Sequence, residues 1–187
     1  MLTQAATTPA RATLLAIDPG TLESGWVLFD GERVHASGVN SNIDMLEIVA
    51  MHESCVAIEM IDSYGMAVGR EVFETCVWIG RFMQAARDPG SVRLVYRRDV
   101  KLALCGTSKA KDPNVRQAII DRFPATGGGK TPQIGTKGQP GPLYGVSSHA
   151  WPALGVAMVA IKAVPRYGSP GDITILGTLP AIGALKP

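Results

Sequence analysis

Two short apolar runs in this 187-residue chain each end in a carboxylate: Leu14-Leu15-Ala16-Ile17 leads into Asp18, and Val56-Ala57-Ile58 into Glu59. Uninterrupted runs of this length read as buried strands. The first is stopped by the turn residues Pro19-Gly20. A carboxylate at the end of a buried strand is costly unless it is paired or holds a cation. On neighbouring strands the two groups would stand side by side, and a divalent cation relieves the repulsion of like charges that close. Asp18 taken alone also reads as ordinary Asp-Pro-Gly turn chemistry, so it is the pair that points to a hard-metal site.

The remaining pattern surrounds these strands with a mixed α/β order. Gly25 to Phe29 and Arg33 to Val39 read as strands joined at the hairpin signal Asp30-Gly31. Helical spacing runs from Asn42 to His52 and from Met66 to Ala86, and Val92 to Tyr96 is a further strand. Short helices are expected over Asp99 to Leu104 and over Pro113 to Phe123, the latter with Asp112 as N-cap. Residues 124–144 are rich in glycine, contain four prolines, and carry Lys130 and Lys137. They read as a long flexible loop, of a length that usually has a function. A strongly apolar helix follows from Ser147 to Ile161. Hairpin-joined strands followed by crossover helices give a mixed sheet with helices on its faces. The strand-like patch Ile173 to Leu176 has no obvious place in it.

Composition excludes several classes. With 46% hydrophobic and 18% charged residues the chain is not a disordered one. The longest apolar helix is stopped by Lys162 and is too short to cross a bilayer. The first 12 residues, polar and small, read as a disordered tail without the apolar stretch of a secretory signal. Three widely spaced cysteines, Cys55, Cys76 and Cys105, suit neither a disulfide framework nor zinc, and point to a reducing, cytoplasmic setting. Charge is divided along the chain. Residues 1–92 hold 5 Lys/Arg against 12 Asp/Glu, a balance of −7, whereas residues 93–137 hold 10 against 3, a balance of +7. An acidic half followed by a basic segment suits a protein that holds a cation and a polyanion together, although two solvated faces of opposite sign would show the same balance.

Specific motifs sharpen this reading. Leu15-Ala16-Ile17-Asp18-Pro19-Gly20 with Ser24-Gly25-Trp26 resembles the opening of RuvC-type Holliday junction resolvases, and Cys55-Val56-Ala57-Ile58-Glu59 resembles their second acidic motif. Val100-Lys101 and Gly106-Thr107-Ser108-Lys109-Ala110-Lys111 are similar to the family's lysine-containing DNA-contacting stretch. Ser148-His149-Ala150-Trp151-Pro152 resembles its last motif. The wording is nearer to phage and prophage members, with Tyr64-Gly65-Met66, Trp78-Ile79-Gly80 and Gly141-Pro142-Leu143-Tyr144-Gly145. The resemblance covers residues 13–163, which would form the nuclease domain, with tails over 1–12 and 164–187.

The resemblance implies a ribonuclease H-like fold and Mg²⁺-dependent phosphodiester hydrolysis, with Mn²⁺ as a substitute. The substrate would be branched DNA, a four-way junction, bound by a homodimer. It implies a site of Asp18, Glu59 and His149, the histidine acting as a ligand or as a general base, and DNA contacts from the basic segment: Arg97, Arg98, Lys101, Lys109, Lys111, Lys130 and Lys137. One position departs from the family, because Pro152 stands where a further carboxylate is usual. Asp62 could supply the missing group or cap the helix after it. The departure leaves open a catalytically weak DNA-binding module, and the fold alone leaves open flaps, forks or RNA–DNA hybrids as substrates. Gly127-Gly128-Gly129-Lys130-Thr131 lacks both the spacing and the preceding strand of a nucleotide P-loop.

Overall fold

The computed structural model describes residues 13–63, 65 and 67–163. Tyr64 and Met66, the proposed tails and the patch Ile173 to Leu176 lie outside the described residues. Five strands form one sheet: β1 (Leu14–Asp18), β2 (Glu23–Phe29), β3 (Val34–Ser41), β4 (Val56–Met60) and β5 (Arg93–Tyr96). Their spatial order is β3-β2-β1-β4-β5. The hairpins β1-β2 and β2-β3 are antiparallel, while β4 joins β1, and β5 joins β4, in parallel. At the β2-β3 turn the Asp30 carboxylate accepts hydrogen bonds from the backbone N–H of Glu32 at 2.8 Å and of Arg33 at 2.7 Å.

Helices cover both faces, as the mixed α/β reading expected. Side chains alternate across a strand. Leu15 and Ile17 of β1 and Ile58 of β4 therefore face one way, onto Met45 and Val49 of α1 (Asn42–Met51) and Ile79 and Phe82 of α2 (Arg70–Ala85). Leu14, Ala16 and Ala57 face the other way, onto α3 (Arg97–Cys105), α4 (Asp112–Ile120) and α5 (Ala150–Ala160). Helix α5 lies across β1 and β2 with eight of its eleven residues buried, which accounts for an apolar pattern that runs all round it. Among the described residues no helix is long and apolar enough to cross a membrane.

Several boundaries differ from expectation. Helix α2 begins at Arg70, not Met66. Gly69 sits ahead of it in extended conformation, and Gly65 has a left-handed φ of 78°, so the glycines interrupt the helical pattern. Helix α3 starts at Arg97, directly off β5, with Tyr96 as N-cap. Asp112 is the first residue of α4 and not its cap. Lys111 occupies the cap position, and its backbone N–H donates to the Asn114 side chain at 3.2 Å. Helix α5 starts at Ala150, because Ser148 adopts a positive φ of 42° that breaks helical continuity upstream. The glycine-rich loop 124–144 is irregular as expected, but not the flexible segment that its composition suggested. Its backbone is cross-linked by hydrogen bonds from Gly127 to Pro132, Gly128 to Gln139, Gly141 to Ile134 and Leu143 to Gln133. At Gly135 a Cβ would lie 2.2 Å from the Gly141 nitrogen, so glycine there permits the close backbone approach.

Candidate active site

The β1-β4 register pairs Ala16 with Ala57 and Ile17 with Ile58, so the next residues on each strand are Asp18 and Glu59. Asp18 continues the Leu14-Ala16 face and Glu59 continues the Ala57 face. Both carboxyls therefore project on the side covered by α3, α4 and α5. Their side chains are only 19% and 12% exposed. Burial pushes Asp18 up to about 6, against the lowering effect of a hydrogen bond with Glu59 and the charge of Arg97. Burial, helped by the neighbouring Asp18, pushes Glu59 up to about 8 despite Arg97. Two acids this close share a proton, and their titration belongs to the pair.

Three cationic or polar groups converge on the pair. Arg97, the first residue of α3, reaches Glu59 Oε2 at 3.5 Å with Nη1 and Asp112 Oδ1 at 2.7 Å with Nη2. The Arg97 hydrogen bond holds Asp112 below the usual carboxylate range. His149, the N-cap of α5, places Nδ1 3.5 Å from Asp18 Oδ2, with its side chain 57% exposed. The N-terminal end of α5, with its partial positive charge, therefore opens beside Asp18. Pro152 falls in the first turn of α5, where a missing N–H costs little. An open cleft of about 330 Å³ lies on the far side of Arg97 and Asp112, lined also by Arg116, Ser148, Trp151 and Pro152, and neither Asp18 nor Glu59 lines it.

A buried network behind Asp18 was not visible in the sequence. Ser24 Oγ donates to Asn42 Oδ1 at 2.6 Å, and Asn42 Nδ2 donates to the Gly20 carbonyl at 2.9 Å. This ties the turn after Asp18 to the start of α1. The signal for it was two polar residues flanking apolar runs, which also describes solvent-facing positions. Gly25, paired with Asp18 across β1-β2, has a second role. A Cβ on Gly25 would lie 2.2 Å from the His149 carbonyl oxygen and 2.6 Å from its Cβ. Gly25→Ala is therefore expected to displace the start of α5 and to destabilise the fold by about 1–3 kcal/mol through overpacking. Urea unfolding of both proteins would measure it, and an unchanged midpoint would contradict this close approach.

Asp18, Glu59 and His149 are thus brought together. The donor set fits a hard divalent cation: two part-buried carboxyls side by side, with Arg97 as counter-charge only at a long 3.5 Å from Glu59. Mg²⁺ keeps several waters, so few protein ligands suffice. Among the described residues no three His, Cys, Asp or Glu side chains already form a cage, and His149 stands at the edge of the pair. Asp62 belongs to the segment after β4, not to either strand end. Of the basic residues, Arg98, Lys109, Lys111, Lys130 and Lys137 are exposed, Lys101 is half-buried, and Arg97 is turned onto carboxylates.

No family model and no curated protein matches the sequence. Solved structures do match. The Thermus thermophilus RuvC structure superposes with a TM-score of 0.57 at 20% identity, covering 81% of this chain and 95% of that one. The T. thermophilus RuvC in complex with Holliday junction substrate gives the same TM-score and identity, covering 81% and 94%. With a mixed five-stranded sheet, helices on both faces and this superposition, the chain has the RuvC form of the ribonuclease H-like fold.

Proposed function

We propose that this protein is a divalent-metal-dependent, structure-selective endodeoxyribonuclease of the phage or prophage RuvC type. It cuts four-way DNA junctions as a cytoplasmic homodimer in recombination or repair. The observation that carries the reading is the contact between Asp18 and Glu59 at adjacent strand ends, in a fold shared with a protein solved on a Holliday junction. The exposed basic residues of the 93–137 segment and the phage-like motif wording support the DNA substrate. An apolar pair on α2, Phe73 and Val77, each 62% exposed, supports association with a second copy, which a junction of two-fold symmetry requires for paired cuts.

Asp18 and Glu59 would hold a Mg²⁺ or Mn²⁺ ion, which would supply charge stabilisation for the phosphodiester and lower the pKa of water. His149, next to Asp18, takes a proton from the attacking water or aligns it. The N-terminus of α5 faces the phosphate with its partial positive charge. Exposed Arg98, Lys109, Lys111, Lys130 and Lys137, with Lys101, neutralise backbone phosphates on either side.

The deciding experiment is a cleavage panel with a four-way junction, a matched duplex and a flap, each in Mg²⁺, Mn²⁺ and EDTA. Metal-dependent paired nicking of the junction alone is the expected result. Preferential flap cutting would reassign the substrate, and no cutting with intact binding would make the chain a DNA-binding module. That second reading draws on Pro152, which stands where the resemblance places a carboxylate. Binding should also weaken steeply with salt. Lys101→Ala and Lys109→Ala should each reduce the log–log salt slope by about one unit. Slopes unchanged in both variants would move the DNA surface elsewhere.

A further inference from the structure

Arg97 falls in the basic segment, yet the fold turns it away from an exposed position. It leads α3 directly off β5, the neighbour of β4, and its side chain is 23% exposed. The guanidinium spans two acids of different character. Asp112, 73% exposed, is held at 2.7 Å, a good charge-assisted hydrogen bond. Glu59, 12% exposed, is met at 3.5 Å, a long and weak one. The strong anchor is therefore the outer one, and the weak contact is made with the buried carboxyl pair.

We propose that Arg97 is a resident counter-cation of the Asp18–Glu59 pair. It competes with the divalent ion for Glu59, and Asp112 retains it at the edge of the site when that contact is given up. This rests on the metal-site reading above and adds a device that sets its affinity. In the ion-free protein the guanidinium offsets part of the repulsion between two buried acids. A divalent ion seated on the pair would lie next to this positive charge in a poorly screened setting, so the Arg97–Glu59 contact must loosen as the ion enters. Only the long contact has to break. Arg97 is therefore a positioning residue, and its removal affects ion binding before any chemistry.

The test is calorimetric titration of Mn²⁺ into the full chain without DNA, at pH 8.5, for wild type, Arg97→Gln, Arg97→Ala and Arg97→Lys. Thermal unfolding of each variant establishes that it is folded. Removing the guanidinium strengthens proton binding to the pair as well, but a divalent ion gains twice as much from the lost positive charge, so ion binding wins. Arg97→Gln and Arg97→Ala are expected to bind Mn²⁺ about tenfold or more tightly than wild type, and Arg97→Lys to stay within about threefold of it. Should one neutral variant fail to fold, the other and the lysine variant carry the comparison. Unchanged or weaker Mn²⁺ binding in the neutral variants, with measurable wild-type binding, overturns the competition and leaves the nuclease reading standing. Absence of Mn²⁺ binding in every variant, wild type included, overturns the metal site and this role of Arg97 with it.

Discussion

Asp18→Asn and Glu59→Gln are each expected to lower junction cleavage about a thousandfold or more, the loss of about 4 kcal/mol of transition-state stabilisation. Junction binding should survive, and should tighten where a negative charge facing phosphate is removed. The two side chains sit side by side at the ends of β1 and β4 and are part-buried, whereas Arg98, Lys109, Lys111, Lys130 and Lys137 are exposed, so loss of either carboxylate removes ion binding and leaves the basic surface intact. Both replacements preserve shape. Burial raises both acids, so the pair keeps a shared proton toward neutral pH, and glutamine in place of Glu59 preserves a donor within it. Fold stability at pH 7 should therefore change little in Glu59→Gln. His149→Ala should lose activity to a smaller extent, because its ring stands at the edge of the pair with 57% of the side chain exposed. Junction nicking and gel-shift binding read the two effects separately. Near-wild-type cleavage by either carboxylate variant would place the chemistry elsewhere.

In EDTA the Asp18–Glu59 pair is expected to withdraw stability from the fold as pH rises from about 4 to about 8. Folding moves Asp18 from 3.8 to about 6 and Glu59 from 4.5 to about 8. Desolvation is the largest cause for both. The folded chain then binds protons more tightly than the unfolded one, so stability is greatest below the unfolded values and drains away as pH passes through the folded ones. At about 1.4 kcal/mol per unit the effect is on the order of a few kcal/mol, shared by the pair. That corresponds to a fall in Tm of several degrees, at about 2–4 °C per kcal/mol for a chain of this size. Glu59→Gln should flatten the profile. Added Mg²⁺ should raise Tm more at pH 8 than at pH 5, because the ion displaces protons from the pair. Identical pH profiles for wild type and Glu59→Gln in EDTA would show that the two acids are not buried against one another.

The apolar runs Leu14–Ile17 and Val56–Ile58 determined, by sequence alone, that two strands would be covered on both faces and would each deliver a carboxylate. Asp30-Gly31 determined the hairpin, and the unbroken apolar character of the last helix determined that it would be buried, while its place across β1 and β2 came from the tertiary structure. These are local consequences of burial and turn chemistry, so they are legible residue by residue. Tertiary structure decided what depends on distant partners. That Asp18 and Glu59 touch follows from the parallel β1-β4 register, which no local pattern contains. Arg97 read as one more cation in a basic stretch. It became a partner of Glu59 because α3 springs from β5 without a linker, and Asp112 became its anchor in place of a cap. Gly25 belonged to a motif, but its physical role is the approach of His149, 124 positions later, to within 2.2 Å of where a Cβ would stand. The loop 124–144 has the composition of a flexible segment, yet cross-loop backbone bonds order it. In each case the deciding energy is a contact between residues far apart in the chain, and composition and spacing hold no record of it.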